Sequence, residues 1–135
     1  MRTYSQVKAE VQSILNEAGM DDWSVYPGPD LPAIPSKFVV CSPYGGPGTD
    51  LDGAIDQRSW QFRVVGGQND FESAEAAADA IDIAFLSHYA RKVQGTWVPQ
   101  IQRAGGAPAV LLVDDAERTH FVCSYIIDVA LALTH

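Results

Sequence analysis

"GGAPAVLLVDDAERTHFVCSYIIDVAL" fills positions 105–131, and its reading decides the fold. Phe121, Cys123, Tyr125, Ile127, Val129 and Leu131 alternate with Val122, Ser124, Ile126, Asp128 and Ala130, and the alternation runs on to Leu133. A period of two belongs to a β-strand, because successive side chains leave a pleated backbone on opposite sides. The first set is wholly apolar and must face a core. The second set is also too apolar for open water, so it needs cover from a helix, a loop or another subunit. Before it, Asp114 to Glu117 forms a turn, and AVLLV is the other arm of a hairpin. Gly105-Gly106 reads as a further turn, between AVLLV and TWVPQIQR.

Upstream, "QRSWQFRVVGG" alternates in the same way. Arg58, Trp60, Phe62 and Val64 share one side, with Gln57, Ser59, Gln61, Arg63 and Val65 on the other. Between these strands lies a helical pattern, predicted over Asn69–Val93. Ala74, Ala77, Ile81, Ala84, Phe85 and His88 share a face at helical spacing, and the small alanines allow close approach to a sheet. Asn69 with Glu72 three residues on has the spacing of a capping box. Asp70, Glu72 and Glu75 suit the positive start of the dipole, and Arg91 and Lys92 suit its end. Ile83, Leu86 and Ala90 fall outside this face and are candidates for a second contact.

A first helix is expected from Tyr4, Val7, Val11, Ile14, Leu15 and Ala18. Thr3 is its cap, Gly19 its stop, and Glu10 lies with Gln6, Gln12, Ser13 and Glu17 on the solvent side. Trp23–Tyr26 and Phe38–Cys41 read as short strands. They flank a segment in which proline, lacking a ladder donor, forbids a central strand. Ser42–Asp56 contains four glycines, two prolines and the three aspartates Asp50, Asp52 and Asp56, and reads as a long loop. Loops of that length are commonly functional.

These elements give the expected fold class: α+β, a single domain over 1–135. A mainly antiparallel sheet of about four strands carries a long helix on one face and an N-terminal helix. A chain of 135 residues is long enough for one core. Charged residues make up 19% of it, below the ~25% usual for soluble domains, which leaves uncharged surface for partners. A net charge of −8, with nine scattered Lys and Arg, argues against a nucleic-acid binder, which needs positive charge to displace counterions. Cys41 and Cys123 sit in apolar runs and read as free buried thiols, bridged only if their strands are neighbours. No basic and apolar leader precedes a small-residue cleavage site, so residence in the cytoplasm is expected after synthesis.

Chemistry is thin along the chain. His88, His120 and His135 have no second histidine or cysteine at ligand spacing. His120 beside Arg118 and the Asp114-Asp115 turn has the makings of an acid/base pair, but without a nucleophile motif a solvated hairpin turn is the better reading. "YGGPG" and "VVGGQND" match neither the phosphate loop nor the dinucleotide fingerprint. Asp50, Asp52 and Asp56 lack the other oxygen ligands of a calcium loop. No enzyme activity, metal or cofactor is expected.

The order of elements carries a resemblance: helix, proline-rich stretch with a short strand, loop, "RSWQFRVVGG", a helix opening on acids and alanines, then the hairpin of positions 105–131. It resembles the tail terminator proteins of long-tailed bacteriophages, also called minor tail or tail-to-head joining proteins, particularly those of phages infecting actinobacteria. The resemblance covers nearly the whole chain and rests on the pattern of elements. It implies a subunit of a hexameric ring on the tail tube protein, which ends tube polymerisation and offers its other face to the head-tail connector or stopper protein. It also implies residence in the virion at the tail-head junction, after assembly in the host cytoplasm. DNA would pass through the bore without specific binding, and no membrane is involved. Asp50, Asp52, Asp56, Ile83, Leu86, Val122 and Ile126 are the candidate subunit or partner contacts. The rival readings are another connector protein, a stopper or head completion protein, or a small acidic enzyme or ligand-binding domain built on His120.

Overall fold

The structure, a computed structural model, describes residues 4–28, 37–43, 48–49, 55–87, 91–93, 96–98 and 100–130. In chain order these form α1 (Tyr4–Glu17), β1 (Ser24–Pro27), β2 (Phe38–Pro43), β3 (Gly48–Thr49), β4 (Ile55–Gln68), α2 (Phe71–Leu86), β5 (Arg91–Val93), β6 (Thr96–Val98), β7 (Gln100–Arg103), β8 (Ala109–Val113) and β9 (Arg118–Ala130). The α+β class is as expected. The main sheet has seven strands in the order β1-β2-β4-β9-β7, with β3 on β4 and β8 on β9, while β5 and β6 pair separately. The count exceeds four because short strands extend the edges of the long ones. Among the described residues, only the β1–β2 pair is parallel; the other pairs are antiparallel.

The two long strands, β4 and β9, pair along nearly their whole length. Their inward residues Trp60, Phe62, Val64, Phe121, Cys123, Tyr125 and Ile127 join Val7, Val11, Ile14 and Leu15 of α1 and Ala74, Ala77, Ala78, Ile81 and Phe85 of α2 in one core. Both helices therefore lie on one face of the sheet. Phe62, Phe85 and Tyr125 stack at its centre, with centroids 4.9 to 5.8 Å apart. Each buried ring of this kind contributes about 1.5–3 kcal/mol relative to exposure. A second cluster, Phe38, Val40 and Val65 with Tyr26 against it, lies on the opposite face. At Gly66, β4 passes close to α2: a Cβ there would stand 2.8 Å from the Ala74 Cβ and 2.9 Å from the Asp70 carbonyl.

Several expectations need correction. The long helix ends at Leu86, with Ser87 as its cap, and Arg91 and Lys92 lie in β5 rather than at a helix terminus. The helix starts one residue late as well: Asp70 is the cap, accepting from the Ser73 amide at 3.1 Å and the Ser73 hydroxyl at 2.6 Å. Asn69 instead adopts φ 55°, a left-handed turn that asparagine tolerates, so no capping box with Glu72 forms. Glu10 is buried, since it stands three residues after Val7 and four before Ile14 on the same helical face. Gly105-Gly106 is not a hairpin turn. Ala104 still donates to the Ser124 carbonyl, and Ala109 already stands opposite Val122. Residues 105–108 are looped out, and β7 and β8 run in line along one edge of β9.

The loop expected over Ser42–Asp56 is partly strand: Ser42 and Pro43 end β2, Gly48–Thr49 is β3, and Asp56 lies in β4. Cys41 and Cys123 are free and buried. Both stand opposite Phe62, on either side of β4, so two strand spacings of ~4.8 Å separate their backbones, beyond disulfide reach. Burial pushes the Cys123 thiol up to about 12 and the Cys41 thiol higher still.

Candidate functional site

An apolar strand standing in solvent is the most unusual feature of the described residues. All five residues of β8 are exposed, and Val110, Leu111, Leu112 and Val113 keep 39 to 59% of their surface. β8 forms because β9 offers it an edge, but its own far edge has no strand among the described residues. The register assigns its faces. Val110 and Val113 stand opposite Phe121 and Thr119, on the helix side, while Ala109 and Leu112 stand opposite Val122 and His120. The ladder shifts at Leu111. Phe71, at the start of α2, is itself 45% exposed and stacks on Phe121 at 5.4 Å. Val110, Phe121 and Phe71 thus form a continuous apolar row from strand to helix. Patches of a few hundred Å² on a monomer are commonly contact sites.

The residues singled out from sequence are scattered relative to this edge. Val122 and Ile126 are half-buried on the sheet face away from the helices, and Val122 adjoins Ala109 of β8. Ile126 stands opposite Gln102 of β7. Ile83 and Leu86 are exposed on α2, but near its C-terminal end. At ~1.5 Å rise per residue, they lie roughly 20 Å along the axis from Phe71, so the structure does not join them to β8. Asp56 pairs through its backbone with Thr49 and Val129. Asp50, Asp52, Ala90, His88 and His135 lie outside the described residues. The sequence reading missed Phe71 and Val110–Val113. The signal for the strand residues was the unbroken run AVLLV, which lacks the alternation of a half-exposed strand.

The hairpin that carries β8 is pinned at its tip. Asp114 Oδ1 accepts from the Ala116 and Arg118 amides, and Oδ2 accepts from Arg118 Nε at 3.0 Å. Glu117, at φ 61°, closes the turn in the left-handed region. His120 is buried, which corrects the reading of a solvated turn. Its Nδ1 accepts from Arg63 Nε at 3.1 Å, so Nε2 carries the hydrogen and donates to Asp114 Oδ2 at 2.9 Å. The His120 bond and the Arg118 contacts hold the Asp114 carboxyl well below the usual carboxylate range. All the polar atoms of this cluster named here are satisfied within the protein, so it acts as an anchor.

A second anchor ties α2 to the sheet. Asp82, buried on α2, accepts from Nε and Nη2 of Arg103 on β7 and from the Tyr125 hydroxyl at 2.8 Å. Arg103 foremost, with Tyr125, lowers the Asp82 carboxyl despite its burial, and burial foremost raises the Tyr125 hydroxyl. The groove beside it, about 590 Å³ between α2 and residues 107–108, is lined by Glu72, Glu75, Asp79, Asp82 and Arg103. Among the described residues, no group of three His, Cys, Asp or Glu stands close enough to hold a metal ion, and no helix is long and apolar enough to cross a membrane.

The chain matches no family model and no curated protein. Among solved structures, it is similar to a chain of the virion of a native gene transfer agent particle. That likeness has TM-score 0.66 and 15% identity, covering 96% of this chain and 100% of the other. A second solved chain is similar at TM-score 0.57 and 19% identity, covering 99% of this chain and all of that one. At such identities the likeness is one of fold.

Proposed function

We propose that this protein is a structural component of a virion: a tail terminator that assembles on the end of the tail tube as a ring, of six subunits as the resemblance to tail terminators implies. The observation that carries the reading is the fold, shared over 96% of the chain with a component of a gene transfer agent virion. The exposed strand β8 supports it, because a subunit that works alone has no use for four large apolar side chains in water. Closed rings need two complementary patches per subunit. The acidic balance suits a bore through which DNA slides without sticking. The tail tube would contact one face of the ring and the head-tail connector or stopper the other.

Electron microscopy of the purified protein, alone and mixed with tail tubes, tests this. Rings that cap tube ends support the terminator role. Rings that bind only the head connector favour a stopper. A monomer that binds neither contradicts the proposal.

A further inference from the structure

β8 has the composition of an interior strand and the position of an edge strand. Its apolar side chains point to both sides of the sheet, as in strands covered on both faces. Edge strands in soluble proteins usually carry a charge or a proline that prevents pairing with other chains, and Ala109–Val113 carries neither. The opposite edge of the sheet is β1, Ser24–Pro27, which pairs with β2 alone among the described residues and ends in a proline tolerated at edges. We infer that β8 of one subunit pairs with β1 of a second copy, so that the sheet continues from subunit to subunit.

Direction supports this mating. β1 and β2 run together, β4 against them, β9 with them and β8 against them. Under rotation about an axis along the strands, β8 therefore meets the neighbour's β1 antiparallel, the better-bonded arrangement. Level supports it too. Leu112, His120, Val65, Phe38 and Ser24 stand in one row across the sheet, so a rotation without slippage brings Leu112 beside Ser24 of the next copy. Leu112 would then extend the apolar cluster of Tyr26, Phe38, Val40 and Val65. Val110 and Val113 would continue the helix-side layer. Two copies at a net charge of −8 each repel, and neither β8 nor β1 adds a charged residue to the contact. The two edges differ, so the contact is head-to-tail and compatible with a closed ring. The inference rests on the ring proposal for closure, but its test is separate.

Leu112→Cys and Ser24→Cys proteins are treated with a short bis-maleimide singly, and fresh, untreated samples of the two are mixed before the reagent is added. The native Cys41 and Cys123 are buried and serve as the unreactive control in the parent protein. The expected result is a cross-linked dimer in the mixture only, and a ladder of multimers when one chain carries both substitutions. Self-linking of Leu112→Cys alone would mean two-fold β8 pairing and would overturn the inference. So would an oligomer, seen by sedimentation, in which the mixture gives no cross-link; the ring proposal would then survive by another contact. A protein that stays monomeric at all concentrations would sink both.

Discussion

β8 and β9 are two arms of one hairpin, with similar apolar content and opposite fates. On β9, Phe121, Cys123, Tyr125 and Ile127 are buried, because β4 flanks the strand and α2 covers it. On β8, Val110 to Val113 keep 39 to 59% of their surface, because no strand among the described residues continues the sheet beyond it. The difference teaches that composition reports how buried a strand is meant to be, while the monomer's topology reports how buried it is. Where the two disagree, the shortfall marks a surface that another molecule completes.

The sharpest way to break this comparison is to truncate one side chain on each arm and compare stabilities at dilutions where the subunit is monomeric. Tyr125→Ala removes a core ring and the Asp82 hydrogen bond, and should cost about 3–5 kcal/mol by denaturant unfolding. Val113→Ser, at the most exposed of the large β8 residues, should cost far less, under about 1 kcal/mol, since 59% of Val113 already stands in solvent, and Leu112→Ser, at 39% exposure, should fall between the two. A cost for Val113→Ser near that of Tyr125→Ala would mean that β8 is already covered in the monomer.

Gly66→Ala probes the packing that gives β9 and β4 their cover. The added methyl meets the Ala74 Cβ and the Asp70 carbonyl within 3 Å, so α2 must shift, at about 1–3 kcal/mol. An unchanged midpoint would show that α2 sits more loosely on β4 than this contact indicates.

Asp82→Asn probes the polar tie from α2 to β7, at about 1–3 kcal/mol at neutral pH. The Asp82 carboxyl is lowered on folding, so the native state binds its proton less readily than the unfolded chain. Its stabilisation is therefore present above the unfolded value of ~3.9 and is lost as pH falls through the lower folded value. The wild type and Asp82→Asn should differ most near neutral pH and converge in acid. A gap that widened as pH fell would contradict the assignment.

Much of this was legible in the sequence. α1, β4 and β9 follow from periodicity, since each buries one regular face. The end of α2 did not, because SHYARKV continues the helical pattern while the β5–β6 pairing takes Arg91–Val93 into strand. Local propensity does not contain that long-range choice. Gly105-Gly106 fits a turn or a looped-out bulge equally well, and only the 13-residue length of β9, with room for β7 and β8 in line, decides between them. His120 was visible as a partner for Asp114, but its burial depends on Arg63, 57 positions away. The exposed edge was missed because an unbroken apolar run implies burial, and sequence does not say in which molecule.

The central claim, that β8 is an interior strand awaiting a neighbour, is tested most directly by amide hydrogen exchange over Ala109–Val113, compared between dilute monomer and the assembled protein. In an edge strand only the amides facing β9 are bonded within the subunit. The account predicts rapid exchange of the remainder in the monomer and slowing by at least roughly tenfold on assembly, with β9 slow in both states. Exchange over β8 that is equally fast in the two states would contradict it.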